Sequence, residues 1–264
     1  MADAEHGFTA VDAQDDPASW IDVLDRVRGE PAYMAYKARV AELLLPARGR
    51  RYLEVGTGAG DDALALASSR GVEVVGVDVS QAMVAEARRR GLVEAHVADA
   101  HELPFEDATF AGAWADRTFQ HLEEPERALS ELVRVVEPGG RIVVADPDYD
   151  TQVVDVADQE LARRVLRFRA DHLLRNGTLA HRMGGLLVAA GLRDVAVEAV
   201  PVVLRDPTAL DGALGLRTWA ATAHERGLLE SADVGSWERA LDDAAASGRF
   251  LYAFCVFVSA GTRP

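Results

Sequence analysis

RYLEVGTGAGDD, residues 51–62, is the stretch on which the reading of this chain turns. A short β-favouring run at 51–55 meets glycines at 56, 58 and 60, and a helical pattern follows. The next apolar run, VEVVGVD, ends on Asp78, 24 residues after Glu54. A strand, a glycine turn, a helix and a second strand closed by a carboxylate make one half of a nucleotide-binding unit. Glycines let a ligand approach bare backbone, and the carboxylate can accept hydrogen bonds from a ribose diol. The stretch therefore points to a nucleoside-bearing cofactor.

Details of the turn narrow the choice. Gly56, Gly58 and Gly60 are spaced G-x-G-x-G, whereas a dinucleotide site wants G-x-G-x-x-G. Asp61 and Asp62 open the following helix. Acids there suit the helix dipole but repel a pyrophosphate. They suit a ligand that carries an ammonium group and no phosphate, and Glu54 adds a further negative charge. A nicotinamide-dependent oxidoreductase is disfavoured on the same grounds.

Working outward, apolar runs at 51–55, 72–77, 93–97, 109–114 and 141–146 alternate with helical patterns near 60–70, 80–90 and 124–137. This is the order of a parallel sheet with crossover helices. Ser80 is a plausible N-cap, and Pro138, Gly139 and Gly140 stop the third helix. Upstream, 17–28 and 31–45 look helical and carry Trp20, Tyr33, Met34 and Tyr36, either as a lid or as packing helices. Downstream, 152–175 and 178–190 look helical, 193–205 alternates as a strand, 206–247 is mostly helical, and 250–260 is a buried strand. The last two strands suggest an antiparallel hairpin at one sheet edge. Residues 1–49 are then a helical lid on a domain of 50–264, with helical insertions near 151–177 and 206–247 as places for substrate recognition.

Composition bounds the remainder. The chain has 264 residues, 49% hydrophobic and 27% charged, with a formal net charge of −15. That acidity argues against nucleic acid and anionic membranes as partners. Arg88, Arg89 and Arg90 read as the solvated end of a helix. Cys255 is the one cysteine, so neither an internal disulfide nor a cysteine zinc site is available, and it reads as a small core residue. Residues 1–20 carry no apolar signal region and no run reaches membrane-spanning length, which leads us to expect a cytoplasmic protein. Lys37 is the only lysine.

Several motifs together resemble class I S-adenosylmethionine-dependent methyltransferases, in particular the small-molecule branch with the quinone-biosynthesis enzymes. They are EVGTGAG at 54–60, VGVD at 75–78, Asp99-Ala100, LPF at 103–105 with Phe110, and PGG at 138–140. The resemblance implies a Rossmann-like, seven-stranded, mostly parallel sheet with an antiparallel edge hairpin and helices on both faces. It implies S-adenosylmethionine as cofactor, with Gly56, Thr57 and Gly58 in the turn against its methionine part and Glu54 or Asp61 near its ammonium. Asp78 would take the ribose, Val79 would pack on adenine, and Asp99 and Ala100 would read the adenine edge. Asp116 and Arg117 would flank the sulfonium and the substrate mouth.

The exit of the fourth strand, ADRTFQH at 115–121, is more polar than is usual in that family. Arg117 is expected to bind an acidic or carbonyl-bearing substrate, and His121 to be the base if one is used. Asp146, Asp148 and Asp150 read as turn acids, and no metal is expected. The sequence thus leads to methyl transfer onto a small, largely apolar molecule. The alternative is a methyltransferase-like protein that binds the cofactor but runs another reaction or serves a partner.

Overall fold

Strand β1 (Arg51–Val55) pairs in parallel with β2 (Glu73–Asp78) on one side and β4 (Phe110–Asp116) on the other. Four of its five residues are buried, as expected of a strand covered on both faces. β3 (Ala95–Val97) extends the sheet beyond β2, and β5 (Val136–Val154) lies beside β4. β7 (Tyr252–Thr262) runs antiparallel to β5, and β6 (Arg193–Leu204) antiparallel to β7. The sheet has seven strands in the order β3-β2-β1-β4-β5-β7-β6. It is the mostly parallel sheet with an antiparallel edge that the sequence implied. The order reverses between β1 and β4, so a crevice opens at the carboxyl ends of these two strands. The computed structural model describes residues 11–12, 20–25, 30–207 and 215–264.

Helices cover both faces. One face carries α1 (Pro31–Leu43), α2 (Asp61–Arg70), α3 (Gln81–Arg90), α5 (Gln159–Phe168), α7 (Thr218–Glu225) and α8 (Ser231–Ala246), packed through Tyr36, Leu66, Val84, Val165, Trp219 and Trp237. The other carries α4 (Pro125–Val135) and α6 (Met183–Ala189), packed through Leu129, Leu132 and Leu187. Local chemistry sets the helix ends. Ser80 caps α3 by accepting from the Met83 N–H at 3.2 Å, as its position suggested. Gly71 and Gly91 close α2 and α3 in the left-handed conformation. None of the helices among the described residues is long and apolar enough to cross a membrane.

Three expectations are corrected. β5 does not end near 146 but continues to Val154, where the sequence suggested a helix from 152. Gln152 is buried, Val153 is exposed and Val154 is buried, a period of two, and Val153 and Val154 pair with Ala253 and Tyr252. The helix begins at Gln159, where the Asp158 carboxylate accepts from the N–H groups of Glu160 and Leu161. Near its C-terminus that helix widens into a π-turn over Arg169–Leu173. Cys255 is only half-buried, because β7 alternates and places it opposite the packed face of Tyr252, Phe254 and Val256. Of the expected helix at 17–28, residues 20–25 are helical, and the others, like 208–214 of the second insertion, lie outside the described residues.

Candidate functional site

The glycine turn is tied to β2. The N–H groups of Gly56 and Thr57 both donate to the Val77 carbonyl, at 2.8 and 2.9 Å. Gly56 has φ +74°, and a Cβ there would lie 2.1 Å from Thr118 Oγ1. Only glycine fits. The Gly58 N–H donates to Asp78 Oδ2 at 2.9 Å, and the Ser80 N–H to Asp78 Oδ1 at 3.0 Å. Turn and carboxylate are thus one unit, and each Asp78 oxygen keeps lone-pair capacity for a further donor. Burial raises the Asp78 pKa. Val79 follows with 58% of its surface exposed, an apolar face beside the crevice. Asp99 lies past β3, where its Oδ1 accepts from the His101 N–H at 2.8 Å, and Ala100 is half-buried beside it.

The acids divide into three roles. Glu54 is buried beneath the turn, where one carboxyl oxygen accepts from the Thr57 hydroxyl at 2.6 Å and the other from Trp114 Nε1 at 3.0 Å. Burial, reinforced by the charge of Asp62, pushes its pKa well up. Asp61 faces away, to Arg90 at 2.8 Å. Arg90 also holds Asp25 and Glu86, so the last arginine of the triplet is a crosslink and not simply a solvated helix end. It is Asp62 that turns inward. It pairs with Lys37, whose ammonium also lies 3.2 Å from Asp116 Oδ2. The Tyr36 hydroxyl donates to the same Asp116 oxygen at 3.1 Å. Reasoning from sequence missed Lys37, Tyr36 and Asp62 as a group. The available signal was a lone lysine beside tyrosines, one helix ahead of an acid pair.

Arg117 follows β4 with φ +52°, a left-handed conformation uncommon outside glycine. Its N–H donates to the Ala145 carbonyl at 2.7 Å, which locks it to β5. The guanidinium lies over the Tyr33 ring, 5.7 Å from the centroid, with Nε 3.8 Å from Asp116 Oδ1. His121 sits in the 3-10 turn after it, with Nε2 3.1 Å from the Gln120 side-chain nitrogen. Burial, with the Arg117 charge, lowers its pKa to about 4. Neutral at physiological pH, it is a weak base. Asp146, at the matching point of β5, is buried, and burial raises its pKa well above the usual range. Asp116 Oδ1, Arg117 Nε, Gln120 Oε1 and Asp146 Oδ2 are buried without a hydrogen-bond partner among the described residues.

Two upstream residues lie against the glycine turn and the start of α3. The Asp12 carboxylate accepts from the Ser80 hydroxyl at 2.6 Å and from the N–H groups of Gln81 and Ala82 at 2.7 and 3.1 Å. Leu24 reaches to 3.2 Å from where a Gly58 Cβ would stand. A different group, Asp148, Asp150 and His181, brings ligand-type atoms within 4.8 Å of one another. Asp146, Asp148 and Asp150 lie within β5 and not in the turn expected of them, because β7 supplies strand partners. Asp148 accepts from the Asp150 N–H and the His181 N–H, and Asp150 pairs with Arg167.

The fold is that of a methyltransferase. The family described as "Methyltransferase domain" matches residues 53–144, from β1 into β5. An uncharacterised 37.1 kDa protein of transposon TN4556 from Streptomyces fradiae is 36% identical over 244 residues, covering 90% of this chain and 70% of that protein. Demethylmenaquinone methyltransferase from Thermus thermophilus is 40% identical over 131 residues, covering 47% of this chain and 60% of that enzyme. Among solved structures, that of the cyclase SpnF is similar with a TM-score of 0.55 at 26% identity, covering 87% of this chain and 81% of that one. The chain belongs to the class I S-adenosylmethionine-dependent methyltransferases.

Proposed function

We propose that this protein binds S-adenosylmethionine and transfers its methyl group to a small, largely apolar molecule in the cytoplasm. The observation that carries the reading is the single unit of Gly58 N–H and Asp78, 2.9 Å apart, with acids at the start of α2 where a phosphate-binding site would have none. Asp78 is assigned the ribose hydroxyls, Val79 the adenine face, and Asp99 with Ala100 the adenine edge. Gly56, Thr57 and Gly58 line the amino-acid tail. Glu54 lies beneath them, and Asp61 flanks the helix start. Asp116 and Arg117 face the methyl-transfer end, with His121 behind them. Bound there, the sulfonium supplies an electrophilic methyl group. The chain's own task is to hold the acceptor in line and to keep water out. Residues 1–49 act as the lid, supported by the contacts of Asp12 and Leu24.

Calorimetry with S-adenosylmethionine, S-adenosylhomocysteine and NAD tests this. The first two should bind, and Asp78→Ala should weaken them by about 1.5–3 kcal/mol, the scale of a lost charged hydrogen bond. NAD binding with no response to the others would end the reading. A second reading, another reaction run on the bound cofactor, is favoured by one observation, the likeness to a protein named as a cyclase. Cofactor labelled in its methyl group and incubated with source extract separates the two, since only methyl transfer yields a labelled small product.

A further inference from the structure

Four of the orphaned polar atoms come from two neighbouring segments, residues 116–120 at and after the end of β4 and Asp146 on β5. The Gln120 N–H reaches Asp146 Oδ1 at 3.4 Å, and the Gln120 side chain donates to the Arg117 carbonyl at 3.2 Å. Each unmet buried group costs about 1–3 kcal/mol, so four together mark a place where a ligand completes the bonding. Their kinds are unequal. Arg117 Nε is a donor with a positive charge, and Gln120 Oε1 is an acceptor. Burial raises the Asp146 pKa well above the usual range, which favours the form that can donate.

Charge points the same way. The nearest carboxylate to Arg117 is Asp116, 3.8 Å from Nε, and that acid already serves Lys37 and Tyr36; Asp62 acts on the guanidinium from farther off. Beyond Tyr33 lies a second buried guanidinium, Arg169, whose cation works against burial at the Tyr33 phenol. Arg169 is stacked over Tyr149 at 3.9 Å and Trp219 at 4.2 Å, and it bonds to the neutral groups of Gln152 and Tyr252. No salt-bridge partner of Arg169 stands among the described residues. A wall with two buried cations and aromatic rings is complementary to an apolar body carrying a negative charge.

We propose that the acceptor is an acidic hydroxylated molecule. Its anionic oxygen is taken by Arg117, and a neighbouring hydroxyl donates to Gln120 Oε1. This rests on the methyltransferase reading and names its substrate class. The anionic oxygen can belong to a carboxylate or to an ionised phenol, which share the chemistry that Arg117 reads.

The test uses the full chain saturated with S-adenosylhomocysteine and three probes. Salicylate presents a carboxylate beside a hydroxyl, nitrocatechol an ionised phenol beside a hydroxyl, and salicylamide is the neutral counterpart of the first. At least one of the two anions should bind about tenfold more tightly than salicylamide, about 1.4 kcal/mol. Which of them does identifies the source of the charge. Arg117→Gln should bring that preference close to unity, and Arg117→Lys should retain part of it. Circular dichroism checks that both variants fold, and Arg117→Lys carries the comparison if Arg117→Gln does not. Equal binding of salicylamide, or no binding of either anion, would overturn the proposal. So would loss of S-adenosylhomocysteine affinity in both variants with the anion preference intact, because Arg117 would then belong to the cofactor's carboxylate. Wild-type protein that fails to bind S-adenosylhomocysteine but keeps an Arg117-dependent preference for an anion would count against the cofactor reading alone.

Discussion

Lys37 joins Asp116 across the crevice, 3.2 Å from ammonium to carboxylate, although 79 residues separate them in the chain. The same ammonium holds Asp62, so one side chain ties α1 to the end of β4 and to the start of α2. Lys37→Met leaves two acids facing each other near Glu54. Asp116 is almost fully buried and Asp62 is partly exposed, so solvent screens some of the loss. We expect a destabilisation of about 1–3 kcal/mol, between the values for an exposed pair and for a fully buried one. Urea denaturation measures it, and a midpoint equal to wild type would show that the pair is only a surface contact.

Gly56→Ala should damage the turn twice over. Alanine is strained at φ +74°, and its methyl group meets Thr118 Oγ1. The expected cost is about 1–3 kcal/mol, read as a lower thermal midpoint. Thr118→Ala in the same chain removes the nearest clashing atoms and should recover part of that loss, leaving the backbone strain.

Asp12→Ala removes the acceptor for two α3 N–H groups and the Ser80 hydroxyl. A lost N-cap acceptor costs about 0.5–2 kcal/mol. The lid assignment adds a kinetic consequence, faster dissociation of S-adenosylhomocysteine from the variant in stopped-flow displacement. An unchanged dissociation rate would separate Asp12 from any lid.

Burial, with the Arg117 charge, lowers the His121 pKa from the ordinary 6.5 to about 4 in the folded protein. Between those values the unfolded chain takes up a proton that the native protein refuses. The contribution of this group to stability is therefore complete above 6.5 and declines as the pH falls toward 4. Urea midpoints across that interval should drop in wild type and drop less in His121→Asn. The ring resonances followed by NMR should show the low titration directly.

Much of this was legible from residues 51–78. A strand, three glycines at alternate positions and a terminal acid have few uses besides a nucleoside site, and the spacing with the acids after it disfavoured a pyrophosphate. The roles of the two acids at α2 were not legible, because Arg90 and Lys37 choose between them from outside the motif. Arg90 comes from the far end of α3 and Lys37 from an upstream helix. Likewise the extension of β5 to Val154 depends on β7, about 100 residues later, which supplies pairing partners that local composition cannot announce. The weak basicity of His121 was equally invisible, since burial and the Arg117 charge arise only when β4 and β5 meet.

A chain with a single lysine has a single side-chain target for amine-specific reagents. Lys37 is that residue, and only 14% of its side chain reaches solvent while it bridges Asp62 and Asp116. Acylation at this position is therefore a clock for the opening of the crevice. The protein carries its own footprinting probe beside the proposed cofactor site, and its modification rate with and without S-adenosylhomocysteine would read out occupancy without any engineered label.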